Sequence, residues 1–119
     1  MMKIGREFLF DCAHKLVNYH GKCENVHGHT YKLQVIIQGV PGSNGMVMDF
    51  ALLEKIVNDK VLSIIDHSYL NDIIPQPTAE NVALFIWKKL IDDLPSLFEI
   101  KLWENPSNWV VVRAGDVAE

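Results

Sequence analysis

The chain has 119 residues, 49 % apolar and 22 % charged, which is room for one domain with a real core but small for an enzyme working alone. Fifteen acidic residues against eleven basic give a net charge of −4 and argue against a nucleic-acid or membrane surface as partner, while Lys15, Lys22 and Lys32 stay available to an anionic substrate. Two cysteines are too few for a disulfide framework, Met1 to Glu7 lack the apolar core of a signal peptide, and no apolar run could span a bilayer. A reduced, cytoplasmic protein is therefore expected.

Residues Ile4 to Leu16 alternate: Ile4, Phe8, Phe10, Cys12 and His14 fall on one face of a strand with Arg6 as the exception, and Glu7 and Asp11 fall on the other. A loop carrying Gly21 follows. Tyr31, Leu33, Val35 and Ile37 then alternate against Thr30, Lys32, Gln34 and Gln38, a half-buried strand whose parity, extended backward, places His27 and His29 on the apolar face. Gly39 to Gly45 is a turn. Asp49 is placed to cap a helix from Phe50 to about Ile65, with an expected stripe of Leu52, Leu53, Ile56, Val61 and Ile64. A second helix opens at Thr78, with Glu80 in its first turn, Val82, Ala83, Ile86, Leu90 and Leu94 as its buried stripe, and Pro95 at its end. Two strands close the chain, Phe98 to Glu104 and Trp109 to Arg113. The order is ββααββ, an α+β domain over residues 1–119 with the helices grouped against an antiparallel sheet.

Cys23-Glu24-Asn25-Val26-His27-Gly28-His29 most constrains function. A His-x-His pair on a strand points both imidazoles to one side, which is half of a zinc site. A lone buried histidine is ordinarily a hydrogen-bonded core residue. Three on apolar faces (His14, His27 and His29) favour zinc, and three protein ligands leave the fourth position open, as in catalytic sites. Cys23 could serve as a small apolar filler, yet its polar loop between Lys22 and Glu24 favours a thiolate able to act as base or nucleophile. Cys12, inside a strand, reads as filler. Asp66 and His67 would not pair in a regular helix, whereas in a loop the carboxylate can fix the imidazole tautomer for proton transfer; spacing leaves both open. Glu104 occupies the apolar parity of its strand. Either it escapes to solvent at the strand end, or it waits for a planar donor pair such as the amino-pyrimidinone edge of a pterin or guanine.

Phe10-Asp11-Cys12-Ala13-His14, Cys23-x-x-x-His27-Gly28-His29, Gly45-Met46-Val47-Met48-Asp49-Phe50, Asp66-His67-x-x-Leu70-Asn71, Pro77-Thr78-Ala79-Glu80-Asn81 and Glu104 follow one another in an order that resembles the 6-pyruvoyl- and 6-carboxy-tetrahydropterin synthase family. The resemblance implies the tunnelling fold, in which ββααββ subunits join as trimers into a twelve-stranded barrel and two trimers stack as a homohexamer with active sites at the subunit interfaces. It implies a zinc-dependent lyase acting on 7,8-dihydroneopterin triphosphate: His14, His27 and His29 bind Zn2+, Cys23 is the base, Asp66 and His67 relay protons, Glu104 anchors the pterin and Thr78 helps hold it. In this family a cysteine separated by three residues from His-Gly-His marks the 6-carboxy-tetrahydropterin synthases of queuosine (7-deazaguanine) biosynthesis. Pyruvoyl enzymes have a longer spacing. A folate-type branch uses a glutamate separated by two residues from His-Gly-His and cleaves the side chain to 6-hydroxymethyl-dihydropterin. With both Cys23 and Glu24, this chain satisfies the first and third patterns, so Glu24 is either a solvated acid or a second base. The readings from other classes are a non-catalytic pterin-binding module and a zinc-stabilised structural domain.

Overall fold

The computed structural model describes residues 1–17 and 25–117, so Cys23 and Glu24 lie outside the described residues. Strands β1 (Met2–His14) and β2 (His27–Gly39) form a long antiparallel pair, in register from Met2 opposite Gly39 to His14 opposite His27. β4 (Leu97–Trp103) pairs antiparallel with β2, and β5 (Trp109–Arg113) with β4. The expected sheet is wholly antiparallel; the structure corrects this. A two-residue strand, β3 (Ser68–Tyr69), runs parallel to β1 beside Cys12 and Ala13, giving the order β3-β1-β2-β4-β5. Two residues are too few for any alternation to show in the sequence.

One face of the sheet carries the core. Phe8, Phe10, Tyr31, Leu33, Val35, Ile100 and Leu102 are buried there against the helices. Arg6, the exception to the apolar parity, is accommodated by an ion pair with Glu54 on the facing helix. That helix begins as α1 (Phe50–Val57), passes through a π-helical turn at Asn58–Leu62 and ends as α2 (Ser63–Ile65). Asp49 caps it, accepting the Ala51 N–H at 2.8 Å.

The buried stripe differs from expectation. Leu53, Val57, Val61 and Ile65 are fully buried, while Leu52 and Ile64 are exposed. Four-residue steps in an ideal α-helix drift by about 40° each, so three of them would carry Ile65 roughly 120° away from Leu53. The extra residue of a π-turn sets the following residues back by about 100°, which nearly cancels the drift and keeps all four on the sheet. Each such burial contributes about 1.5–3 kcal/mol. α3 (Ala79–Leu90) follows expectation: Thr78 Oγ1 accepts the Asn81 N–H at 3.1 Å, and Val82, Ala83, Ile86 and Leu90 are buried, joined by Trp87. No helix among the described residues is long and apolar enough to cross a membrane.

Candidate metal centre

Alternation along two antiparallel strands builds the site. His14 ends β1, His27 begins β2 directly opposite it, and His29 lies two residues along on the same face. The three imidazoles meet there: their ring centroids are 4.7, 5.1 and 4.6 Å apart, and one ligand atom from each lies within 4.8 Å of the others. Such a cluster can hold a metal ion.

The hydrogen-bonding state fits that use. His27 Nδ1 lies 2.7 Å from the Asn25 carbonyl, which can only accept, so Nδ1 is the donor and Nε2 is the nitrogen left to face a metal. His14 Nδ1 lies 2.7 Å from the Tyr31 hydroxyl, which accepts the same kind of proton when Nε2 faces a metal. The Nε2 atoms of His14 and His29 are buried without a hydrogen-bond partner. Buried polar nitrogens are rarely left so, and two within one cluster match the donor set of a cation. Burial, then the neighbouring imidazoles, push the His14 pKa from 6.5 down to about 4; burial chiefly lowers that of His29. Both are neutral at physiological pH, the form that binds metal.

Glu104 follows β4 and returns to this cluster. Its Oε1 is 3.4 Å from His14 Nε2, without forming a hydrogen bond, and its side chain is largely buried. The inward reading of its parity is the one the structure adopts. Because His14 is neutral, this approach is not an ion pair, and the carboxylate oxygens stay available to another donor.

Asp66 and His67 sit in a loop after α2. His67 has φ +61°, a left-handed conformation costly for a side chain with a Cβ, and its ring is well exposed. His67 Nδ1 lies 3.1 Å from Asp66 Oδ1, which also accepts the Asp11 N–H at 3.0 Å, while the His67 N–H donates to the Asp11 carbonyl at 2.6 Å. The pair is thus riveted to β1. A cleft of about 490 Å³ is lined by both His29 and His67, together with Asp11, Thr30 and Ser68. His67 stands outside the three-histidine cluster itself. Thr78 uses its oxygen to cap α3. Cys12 is buried, and burial first, then Asp66 and Asp11, push its thiol up to about 12, so it stays protonated.

Tyr31 was legible only as core. Its place, two residues beyond His29 on the same parity, carried a usable signal: a buried tyrosine must find a partner for its hydroxyl.

By fold and site this is an α+β protein with a three-histidine centre able to hold a metal ion. The sequence model of the 6-pyruvoyl tetrahydropterin synthase family matches residues 3–115. The chain is 38 % identical to the 6-carboxy-5,6,7,8-tetrahydropterin synthase of Haemophilus influenzae, over 92 % of this chain and 96 % of that one. It is 41 % identical to the dihydroneopterin monophosphate aldolase of Pyrococcus furiosus, over 80 % and 82 %. The structure of Caenorhabditis elegans 6-pyruvoyl tetrahydropterin synthase superposes with a TM-score of 0.86 at 28 % identity, covering 95 % of each chain. The chain belongs to the 6-pyruvoyl tetrahydropterin synthase family.

Proposed function

We propose that the protein is a zinc-dependent 6-carboxy-5,6,7,8-tetrahydropterin synthase, a lyase that acts on 7,8-dihydroneopterin triphosphate, releases acetaldehyde and triphosphate, and serves 7-deazaguanine (queuosine) synthesis. The observation that carries this reading is the convergence of three imidazoles, two with orphaned buried nitrogens, beside the Glu104 carboxylate. The 38 % identity to the Haemophilus influenzae synthase supports the choice of product, as does Cys23, separated by three residues from His27-Gly28-His29.

His14, His27 and His29 would hold the zinc. When bound, zinc supplies Lewis-acid polarisation of the substrate's side-chain hydroxyls. Glu104 accepts hydrogen bonds from the pterin's amino and ring N–H groups, orienting the side chain toward the histidines. Thr78 assists in holding the ring. Cys23, as thiolate, removes a proton from the side-chain carbon, and His67, its ring steadied by Asp66, moves protons between side chain and ring.

The site is completed between subunits in this proposal. β5 ends the sheet, β3 covers only Cys12 and Ala13 of the thirteen-residue β1, and the His67 ring is largely exposed. Open strand edges are natural pairing surfaces for further copies of the chain, here as a homohexamer built from two trimers.

A second reading keeps the same centre and cleaves the side chain to 6-hydroxymethyl-7,8-dihydropterin, with Glu24 as a further base. The identity to the Pyrococcus furiosus aldolase favours it. The test is anaerobic incubation of the zinc-loaded protein with 7,8-dihydroneopterin triphosphate and mass spectrometry of the products. 6-Carboxy-tetrahydropterin with acetaldehyde is expected. 6-Hydroxymethyl-dihydropterin as the main product would replace the first reading by the second, and no turnover would remove both. A Glu24→Gln variant with unchanged product ratios excludes a role for that residue.

A further inference from the structure

The metal centre stands at the end of a ladder. His14 opposite His27 is the last rung of the β1–β2 pairing, and strand ends are where backbone hydrogen bonds open first. Two of the three ligands would part if that rung frayed. What holds it lies on the other edge of β1, where backbone N–H and C=O groups face outward at every second residue and need partners. Asp11 is satisfied by the Asp66 carboxylate and the His67 N–H, and β3 pairs beside Cys12 and Ala13. Past Tyr69 the backbone turns away into a 3-10 turn at Leu70–Asp72, and a side chain takes over. The Lys15 N–H donates to Asn71 Oδ1 at 2.9 Å, and Asn71 Nδ2 donates to the Lys15 carbonyl at 3.0 Å. Gln76 repeats the arrangement on Val17, accepting its N–H at 2.6 Å and donating to its carbonyl at 3.0 Å.

Only a carboxamide carries acceptor and donor side by side as a peptide does, and a flipped amide would oppose like groups, so the orientation is determined. The Asn71 clamp has a firm base. Leu70 is fully buried, and its carbonyl accepts the Ile73 and Ile74 N–H groups at 2.9 and 2.7 Å. Asn71 also closes the sequence motif that begins at Asp66-His67, a position to which the proposed chemistry gives no task.

We propose that Asn71 is a positioning residue of the metal centre: by pairing both backbone groups of Lys15 it keeps β1 from fraying past its last rung and holds His14 opposite His27. The inference deepens the zinc reading of the three histidines and rests on it. His14 is bracketed in the chain, with Ala13 beside β3 and Lys15 in the clamp. Without the clamp the Lys15 N–H and C=O turn to water, and the rung opens more often. Only the closed rung brings one nitrogen from each histidine within 4.8 Å of the others, so each opening gives a bound ion a way out. Two lost hydrogen bonds raise the opening equilibrium on the order of tenfold.

The experiment uses the full chain as parent, Asn71→Ala, Asn71→Asp and Asp49→Ala, each zinc-loaded. Asp49→Ala removes the cap of α1, which lowers folding stability without touching the clamp. Zinc release into excess chelator reads the opening of the last rung, and amide hydrogen exchange at Lys15 reads the clamp. Asn71→Ala should lose Lys15 protection and release zinc roughly tenfold faster. Asn71→Asp keeps the acceptor and the size of the side chain but not the donor. It should fall between parent and alanine, and it carries the test if the alanine variant fails to fold. Asp49→Ala should release zinc at the parental rate. In the parent, zinc should slow exchange at Lys15, because coupling between the metal and the closed rung is reciprocal. Lost protection with a parental release rate in Asn71→Ala would overturn the proposal. Equal acceleration in Asp49→Ala, or Lys15 exchange indifferent to zinc, would do the same. A parent that binds no zinc removes the zinc reading and the proposal together, whereas a parent that binds it beside an indifferent Asn71→Ala removes the proposal alone.

Discussion

Replacing Tyr31 by phenylalanine removes one oxygen from the wall of the metal centre and leaves its shape intact. Tyr31 is fully buried and its ring stacks on Phe10 with centroids 5.0 Å apart, packing that phenylalanine retains. What disappears is the 2.7 Å partner of His14 Nδ1. Since His14 is only 1 % exposed, water does not replace the hydroxyl. The substitution acts twice. A buried N–H without an acceptor costs about 1–3 kcal/mol. The proton is also no longer held on Nδ1, so the tautomer that offers Nε2 to a metal loses its advantage. Loss of such a supporting hydrogen bond lowers metal affinity by roughly 10–100-fold, equivalent to about 1.4–2.7 kcal/mol. Zinc affinity is measured by competition with a chromophoric chelator at neutral pH, and the Co2+ derivative's visible spectrum reports ligand geometry. A Tyr31→Phe protein that binds zinc within about twofold of the parent would refute the reasoning, because the hydroxyl would then do nothing for the ligand.

Acid should destabilise the zinc-free protein through His14. Folded, it takes a proton only near pH 4, against 6.5 ordinarily, so between these values the unfolded chain binds more protons and stability falls as pH falls. The contribution, roughly 3 kcal/mol, is fully present above the upper value and gone below the lower. Urea midpoints at both ends of the window, for parent and His14→Gln, check this: the variant should lose less, and equal losses would exclude His14 as the cause. At position 67, where φ is +61°, His67→Gly should be about 1 kcal/mol more stable than His67→Ala, because only glycine adopts that conformation freely. Thermal unfolding decides, and an alanine variant as stable as the glycine one would show that the loop is not strained. Cys23→Ala should lower turnover by about 100-fold or more and keep pterin binding, read by fluorescence titration. Full turnover in that variant would favour a different base.

Much of the centre was readable because strands alternate with period two. That rule alone placed His14, His27 and His29 on buried faces and Glu104 on an inward parity, and the caps at Asp49 and Thr78 followed from short-range chemistry. The stripe of α1 and α2 was misread because a π-turn changes the period without leaving a residue signature. The hydrogen bonds by which Asn71 and Gln76 hold the backbone of Lys15 and Val17 were invisible because the partners lie 56 and 59 residues apart and asparagine and glutamine are ordinary surface residues.

The sequence by itself determined which residue types are available to hold a metal ion, which face of each strand they occupy, and, through its ordered motifs, the family. Only the tertiary structure decided that His14 stands opposite His27, because register is a property of two strands and not of either one. It also decided that two imidazole nitrogens are buried without partners and that the Tyr31 hydroxyl stands against His14 Nδ1. Side-chain amides completing the edge of β1 belong to the same category. Periodicity is local and survives in one dimension, whereas convergence is set by contacts between segments far apart in the chain.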